Sequence, residues 1–321
     1  MADHAGRDDV FLYMGGEQVV PRDVTRVIVD QSVKIIPRRA FFKRKHLVSV
    51  EFHDGVKIIE GQAFYKCVSL QRLNIPGVNI VGHAAFYDCT DLNDVEFGDE
   101  LETIELQAFE SCHNIRNIVI RAGRSIGQRA FQSCRRLESV ELPKTLERID
   151  GKAFDRCRSL RHIAIPLRCN MFSHYDDTFN CDELTTVELV GGIHKTISSL
   201  HLESWKIQMN KQINRINRAL QSTPAGSKTT AIAEWMESVS RRFNHYRKEH
   251  YRLLKEATTL LELALWKAVL EENEDYSPEV NKPKKKVKID FKSARKQQRI
   301  TSGAAMSIVI QNVLPFLRLE E

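Results

Sequence analysis

The chain has 321 residues, 42% of them hydrophobic and 28% charged, and its 48 Lys/Arg against 42 Asp/Glu leave a net charge of +6. That length suffices for a sizeable core and two structural parts, while no stretch has the unbroken apolar length of a membrane span: the best, residues 304–317, is interrupted by Gln311, Asn312 and Pro315. Residues 1–193 carry 25 Lys/Arg against 28 Asp/Glu and residues 194–321 carry 23 against 14, so the basic surface belongs to the second part.

Residues 1–23 are expected to form an N-terminal cap, and Val24, Val27 and Val29 open an alternating strand. From there a pattern repeats. Phenylalanine recurs at Phe41, Phe64, Phe86, Phe109, Phe131, Phe154 and Phe179, at intervals of 23, 22, 23, 22, 23 and 25 residues. Alanine precedes the first six and Thr178 the seventh, and cysteine comes three residues later at Cys67, Cys89, Cys112, Cys134 and Cys157. A leucine or isoleucine then starts the next alternating strand, as in Leu70, Leu73, Ile75 and Leu92, Val95, Phe97. A second apolar anchor stands five residues before each of the first six phenylalanines: Ile36, Ile59, Val81, Ile104, Ile126 and Ile149. One unit therefore reads strand, turn, buried Ile or Val, a short helical or irregular turn, buried Phe and buried Cys. A fixed period in the twenties marks a solenoid, whose units bury their apolar faces only by stacking. The expected fold is an α/β repeat of about seven units over residues 24–193, with a parallel β-sheet of stacked strands.

Residues 56–89 (VKIIEGQAFYKCVSLQRLNIPGVNIVGHAAFYDC) resemble the BspA-like leucine-rich repeats. That family alternates an I-x-x-x-A-F-x-x-C turn with an L-x-x-I-x-I-P strand and is abundant in bacteria and unicellular eukaryotes. The resemblance covers residues 24–190. It implies a curved leucine-rich-repeat solenoid, its parallel sheet on the concave face, used for protein–protein contact without catalysis by the repeats. Two copies depart from the pattern. Arg44 stands at the first cysteine position, and Cys181 comes only two residues after Phe179, beside the irregular stretch 169–177, so the seventh unit is expected to bulge. The C-terminal third resembles intracellular repeat proteins of algal protists.

In this repeat type the outward strand residues would line the concave face. The binding candidates there are Glu51, His53, Arg72, Asn74, Asp94, Glu96, Asn117, Arg121, Glu141, His162 and Glu188. The central column runs Ile28, Glu51, Asn74, Glu96, Val119, Glu141, Ala164, Glu188, with glutamate at every second unit. Those carboxylates would repeat at about 10 Å, roughly one Debye length in dilute salt. The column is either a plain solvated strand face or an acidic track for a basic peptide, residues 282–299 of the chain itself included.

Seven cysteines is an odd number, and five share one repeat position, so their spacing reflects the fold and not a disulfide framework. A buried cysteine there packs as a small hydrophobe. With no basic-then-apolar leader in MADHAGRDDVFLYMGG and no Asn-x-Ser/Thr sequon, the expected location is intracellular, in cytoplasm or nucleus.

Beyond residue 198 the period becomes helical. Leu202, Trp205, Met209, Ile213, Ile216 and Leu220 form one stripe, and residues 224–227 (PAGS) break it. A second stripe through Ile232, Trp235, Val239 and Phe243 runs on to Val269, with residues 260–270 (LLELALWKAVL) apolar nearly all round. Residues 194–275 are thus expected to form a helical hairpin that covers the last unit, or supplies a partner groove or homodimer seam. Residues 276–301 read as a basic linker, in which residues 282–299 hold nine Lys/Arg against Asp290. Lys284, Lys285, Lys286 and Lys288 resemble a nuclear import signal, extended by Arg295, Lys296 and Arg299. The readings are contact with an import receptor, contact with nucleic-acid phosphate, and a solvated linker. A short helix over 302–321 is expected to end the chain.

Gly226-Ser227-Lys228-Thr229 has neither the spacing nor the preceding strand of a phosphate loop, and His174 beside Asp176 and Asp177 reads as a polar loop. No catalytic residue, cofactor, metal or membrane contact is expected. The expected function is a non-enzymatic protein–protein interaction scaffold, the alternative a nuclear or nucleic-acid-associated adaptor acting through residues 282–299.

Overall fold

The structure, a computed structural model, describes residues 10–168, 170–172, 177–190 and 202–274. It divides into two compact units, Met1–Gly192 with Ile207–Arg241, and Ile193–Lys206 with Arg242–Glu321.

The first unit is a stack of short coils. β1 (Val10–Tyr13) and β2 (Arg26–Val29) open it. Each later coil then adds a two-residue strand and a longer one: β3 (Ile35–Ile36) and β4 (Ser49–Glu51), β5 (Ile58–Ile59) and β6 (Arg72–Ile75), β7 (Ile80–Val81) and β8 (Asp94–Phe97). The series continues with β9 (Thr103–Ile104) and β10 (Asn117–Val119), β11 (Ser125–Ile126) and β12 (Ser139–Glu141), β13 (Arg148–Ile149) and β14 (His162–Ile165), and ends on β15 (Thr186–Leu189). All pairings are parallel. The longer strands form two sheets in the orders β1-β2-β4-β6-β8 and β10-β12-β14-β15, and the short ones a continuous six-stranded sheet from β3 to β13.

That second sheet is the part of the coil that periodicity did not reveal. The anchors Ile36, Ile59, Val81, Ile104, Ile126 and Ile149 are its inward residues, each almost fully buried. With one inward side chain per strand, no alternation exists to be read.

The segment around each phenylalanine is a run of turns, not a helix. Left-handed residues stand two before and two after the ring, as with Gln62 (φ 62°) and Lys66 (φ 58°), or Gln107 (φ 58°) and Ser111 (φ 64°). Each such non-glycine residue costs about 1 kcal/mol, offset here by hydrogen bonding between coils. Phe64 N–H donates to the Ala85 carbonyl at 2.7 Å and Lys66 N–H to the Tyr87 carbonyl at 2.8 Å, and later coils repeat both bonds. Alanine precedes the ring because it is fully enclosed: Ala63, Ala85, Ala108, Ala130 and Ala153 are each 0% exposed. Coils approach so closely elsewhere that a Cβ on Gly98 would lie 1.6 Å from the Pro76 oxygen.

Inside, the seven phenylalanine rings form one continuous stack. Centroid spacings run from 4.7 Å for Phe41–Phe64 to 5.6 Å for Phe154–Phe179, with planes within 10° of parallel. Tyr13 of β1 closes its N-terminal end at 4.9 Å from Phe41.

The cysteines form a second column. Each thiol donates to the carbonyl of the preceding coil's phenylalanine: Cys67 to Phe41 at 3.1 Å, Cys112 to Phe86 at 3.1 Å, Cys134 to Phe109 at 3.3 Å. Cys181 joins it, reaching the Phe154 carbonyl at 3.0 Å. The residue missing between Phe179 and Cys181 is absorbed by a tighter turn, in which Cys181 N–H bonds the Phe179 carbonyl at 2.8 Å. In this coil Phe172 replaces the short strand with a single bridge to Ile149. Arg44 replaces the first thiol for a reason visible in the stack. Instead of a phenylalanine carbonyl it meets the Val20 carbonyl, which its Nε and Nη2 reach at 2.9 and 2.6 Å. At the outer edge of β1, Gln18 accepts from Met14 N–H at 2.7 Å and donates to the Leu12 carbonyl at 3.2 Å, which occupies backbone groups along that edge.

Burial pushes the Cys67 thiol up to about 12 and those of Cys89, Cys134 and Cys157 well above their ordinary value. All six described cysteines are free and buried, and Cys169 lies outside the described residues. Because the thiolate is the reactive form, Cys67, Cys89, Cys134 and Cys157 are expected to resist a disulfide reagent in the native protein, and burial shields Cys112 and Cys181 from it as well; all six are expected to react once the protein unfolds. Fast native labelling at any of the six, read by mass spectrometry, would contradict the column.

α1 (Leu202–Ser222) and α2 (Lys228–Glu274) come after the repeats. Their parts within the first unit meet the last coil. Asn217 Oδ1 accepts from Val187 N–H at 2.8 Å, and Thr229 Oγ1 accepts from Phe179 N–H at 2.9 Å. Lys228 Nζ donates to the Asp182 and Leu184 carbonyls at 2.6 and 2.7 Å. Met209, Ile216, Leu220, Ile232, Met236 and Val239 are buried, and Trp235 Nε1 donates to the Gln212 carbonyl of α1 at 3.1 Å. The segment that failed as a phosphate loop thus supplies donors and an acceptor to the last coil. In the second unit α2 continues past Arg242, with Leu261, Leu263 and Trp266 exposed and an Arg252–Glu256 pair at 2.7 Å.

Candidate functional site

The long strands determine which side chains can meet a partner. Alternation sends one set inward, Leu73 and Ile75 in β6 or Val95 and Phe97 in β8, and leaves Arg72, Asn74, Asp94 and Glu96 exposed. Register then builds columns across the face. Glu51 lies beside Ile28, Glu96 beside Asn74, Glu141 beside Val119 and Glu188 beside Ala164, so each of these glutamates has an uncharged neighbour within its pair.

The four glutamates are not equivalent. Glu51 pairs with Arg26 at 3.5 Å, and Glu188 pairs with His162 at 3.3 Å. Among the described residues, Glu96 and Glu141 have no ion pair or side-chain hydrogen bond, and neither do Arg72, Asp94 and Arg121. The middle of the face therefore holds the free charges. Exposed carboxylates there lose little solvation and stay available to a cationic group on a partner. Val119, 44% exposed, places an apolar side chain between Glu96 and Glu141 in chain order.

Asn117 and Ser139 bond each other, Ser139 Oγ donating to Asn117 Oδ1 at 2.7 Å. His53 is engaged by backbone. Its Nδ1 accepts from Gly55 N–H at 3.0 Å, which places the proton on Nε2, 2.9 Å from the Asp30 carbonyl. The Ser32 hydroxyl and N–H hold the Asp30 carboxyl below its ordinary value. His53 thus acts first on the turn between neighbouring coils. The basic candidates Lys284, Lys285, Lys286, Lys288, Arg295, Lys296 and Arg299 lie outside the described residues, as does His174. Among the described residues no group of His, Cys, Asp or Glu is arranged to hold a metal ion, and no helix is long and apolar enough to cross a membrane.

The sequence matches the family described as the BspA type leucine-rich repeat region, with 6 copies over residues 22–124 and 121–220. Solved structures similar to it include a leucine-rich repeat protein of T. pallidum, at 34% identity over 44% of this chain and 68% of that one, with a TM-score of 0.40. A leucine-rich repeat protein of Eubacterium ventriosum matches at 26% identity over 44% of this chain, with a TM-score of 0.42, and one of Bacteroides ovatus at 21% over 52%, with a TM-score of 0.32. The match spans 40% of the Eubacterium chain and 55% of the Bacteroides chain. No curated protein matches the sequence.

Proposed function

The chain belongs to the BspA-type leucine-rich repeat family, and we propose that it is a non-catalytic, intracellular scaffold that seats a protein partner on its long-strand face. The observation that carries this is the set of free charges at the middle of that face: Glu96 and Glu141, with Arg72, Asp94 and Arg121 beside them. Arg72, Asp94, Glu96 and Glu141 stand on a backbone held by parallel strands, so a partner meets a preformed surface and loses little to ordering it. A cationic segment suits the glutamates, and Val119 gives it an apolar contact between them.

E96K/E141K tests this directly, because exposed side chains of this kind contribute little to stability. Full-length wild type and variant are compared for retention of proteins from the source cell. The expected result is loss of the partners held by the wild type, at an unchanged melting temperature. Equal retention by both proteins contradicts the proposal. A second reading, an adaptor addressed through Lys284–Lys286 and Lys288, is favoured by the nine basic residues of 282–299. K284E/K285E/K286E removes that charge, and the signature of nucleic-acid contact is a log-linear fall of affinity with salt.

A further inference from the structure

Seven copies of one position offer an internal comparison. The residue after the core phenylalanine is Phe42, Tyr65 and Tyr87 in the first three units, and Glu110, Gln132, Asp155 and Asn180 in the next four. Three of the polar residues bond within their own column, Gln132 donating to Asp155 and Asn180 donating to Asp155 at 2.9 Å, while Glu110 accepts from Gln107 at 2.8 Å. The surrounding backbone is the same in both halves, with paired left-handed residues and the same bonds between coils through the sixth unit. The fold therefore accepts a hydrogen-bonded polar side chain here and does not require an aromatic one.

The three aromatic residues are half-buried and stacked, Phe42 on Tyr65 at 5.1 Å and Tyr65 on Tyr87 at 4.9 Å, with planes 11° and 8° apart. Cations sit against them. Arg39 lies 5.4 Å and Lys43 5.1 Å from the Phe42 centroid, and Lys66 lies 5.7 Å from that of Tyr65. Lys66 also pairs with Asp88 at 3.6 Å, whereas Lys43 has no ion pair among the described residues.

We propose that this aromatic–cationic ladder is a second docking surface, separate from the strand face, and that it takes an acidic peptide segment bearing apolar side chains. Stacked rings turn their edges to the surroundings, and the edge is the positive rim of the aromatic quadrupole. Edges and cations together favour carboxylates, while ring perimeters supply apolar contact of the type that dominates interfaces. Nucleic acid fits less well, because bases stack on open ring faces and both faces of Tyr65, with one each of Phe42 and Tyr87, are covered by neighbouring rings.

The test is fluorescence anisotropy on the full chain with a fluorescein-labelled peptide of alternating glutamate and leucine. A lysine–leucine peptide and a single-stranded oligonucleotide serve as comparisons. Y65Q/Y87Q introduces the residue that Gln132 already occupies in the fifth unit. It is expected to weaken the glutamate–leucine peptide about tenfold at an unchanged melting temperature, and E96Q/E141Q to leave that affinity unchanged. Should Y65Q/Y87Q melt early, K43S, which introduces the residue found at the same position of the fourth unit as Ser111, is expected to weaken binding about threefold. The proposal is overturned if the wild type does not bind the glutamate–leucine peptide, or if folded Y65Q/Y87Q binds it equally. Tighter binding of the lysine–leucine peptide or the oligonucleotide overturns it as well.

Discussion

Phe109→Ala is expected to destabilise the repeat unit by about 3–5 kcal/mol, the range for removing a fully buried aromatic side chain. Phe109 is 0% exposed and lies mid-stack, 5.1 Å from Phe86 and 5.2 Å from Phe131, with Phe97 edge-on at 5.7 Å. Alanine would open a void bordered by three rings, two fixed by hydrogen-bonded turns and Phe97 by strand β8, so collapse around it is limited. Because each coil is stabilised chiefly by its neighbours, the loss should begin locally. Amide exchange should accelerate first at β8 and β10, and the guanidinium midpoint should fall. An unfolding curve superimposable on the wild type would show that the ring stack does not hold the coils together.

Lys228→Met comes next in expected size, at about 2–3 kcal/mol. Lys228 is 2% exposed, and its ammonium answers two carbonyls of the last coil, Asp182 and Leu184. Methionine keeps most of the stem's volume but donates nothing, so the Leu184 oxygen loses its partner while buried and the Asp182 oxygen while partly buried. Fraying should appear at β15 and the packed part of α1. A pH signature accompanies it. Burial holds the Lys228 pKa below its ordinary 10.5, so between that lowered value and 10.5 the unfolded chain binds more protons than the folded one. Stability contributed at this residue then rises with pH across that window, and the rise is absent in K228M. A variant with wild-type melting and an identical pH profile would mean that the carbonyls need no capping. The same geometry predicts the behaviour of truncations. Ending the chain at residue 193 removes Asn217, Lys228 and Thr229 together with the apolar stripe on which the last coil packs, so a repeat-only fragment should extend through Arg241.

The repeats were legible because period, phenylalanine and cysteine each mark one step of the same coil. Every Phe from Phe41 to Phe179 at that repeat position lies in a single stack, and Cys181, two residues after its Phe, still occupies the thiol column. The parts not legible share a physical reason: they depend on contacts across coils or between distant segments. Two-residue strands show no alternation, and β1 carries neither the phenylalanine nor the cysteine of a unit. Arg44 reads as a lost cysteine until the Val20 carbonyl is seen beneath it. Lys228 and Thr229 read as a broken phosphate motif until the last coil's open groups are placed against them. At the candidate site, alternation within strands identified the exposed side chains. It could not separate the paired Glu51 and Glu188 from the free Glu96 and Glu141, because Arg26 and His162 act across coils.

Site-specific photo-crosslinking would locate the partner on the surface. A photoreactive amino acid is placed singly at Asn74 and at Asn117, both exposed on the long-strand face, at Ser125 on the short-strand sheet, and at Lys285. Covalent protein adducts are expected from Asn74 and Asn117, diminished by E96K/E141K, and none from Ser125. Adducts confined to Lys285, or equal at all four positions, would contradict a partner seated on the long strands.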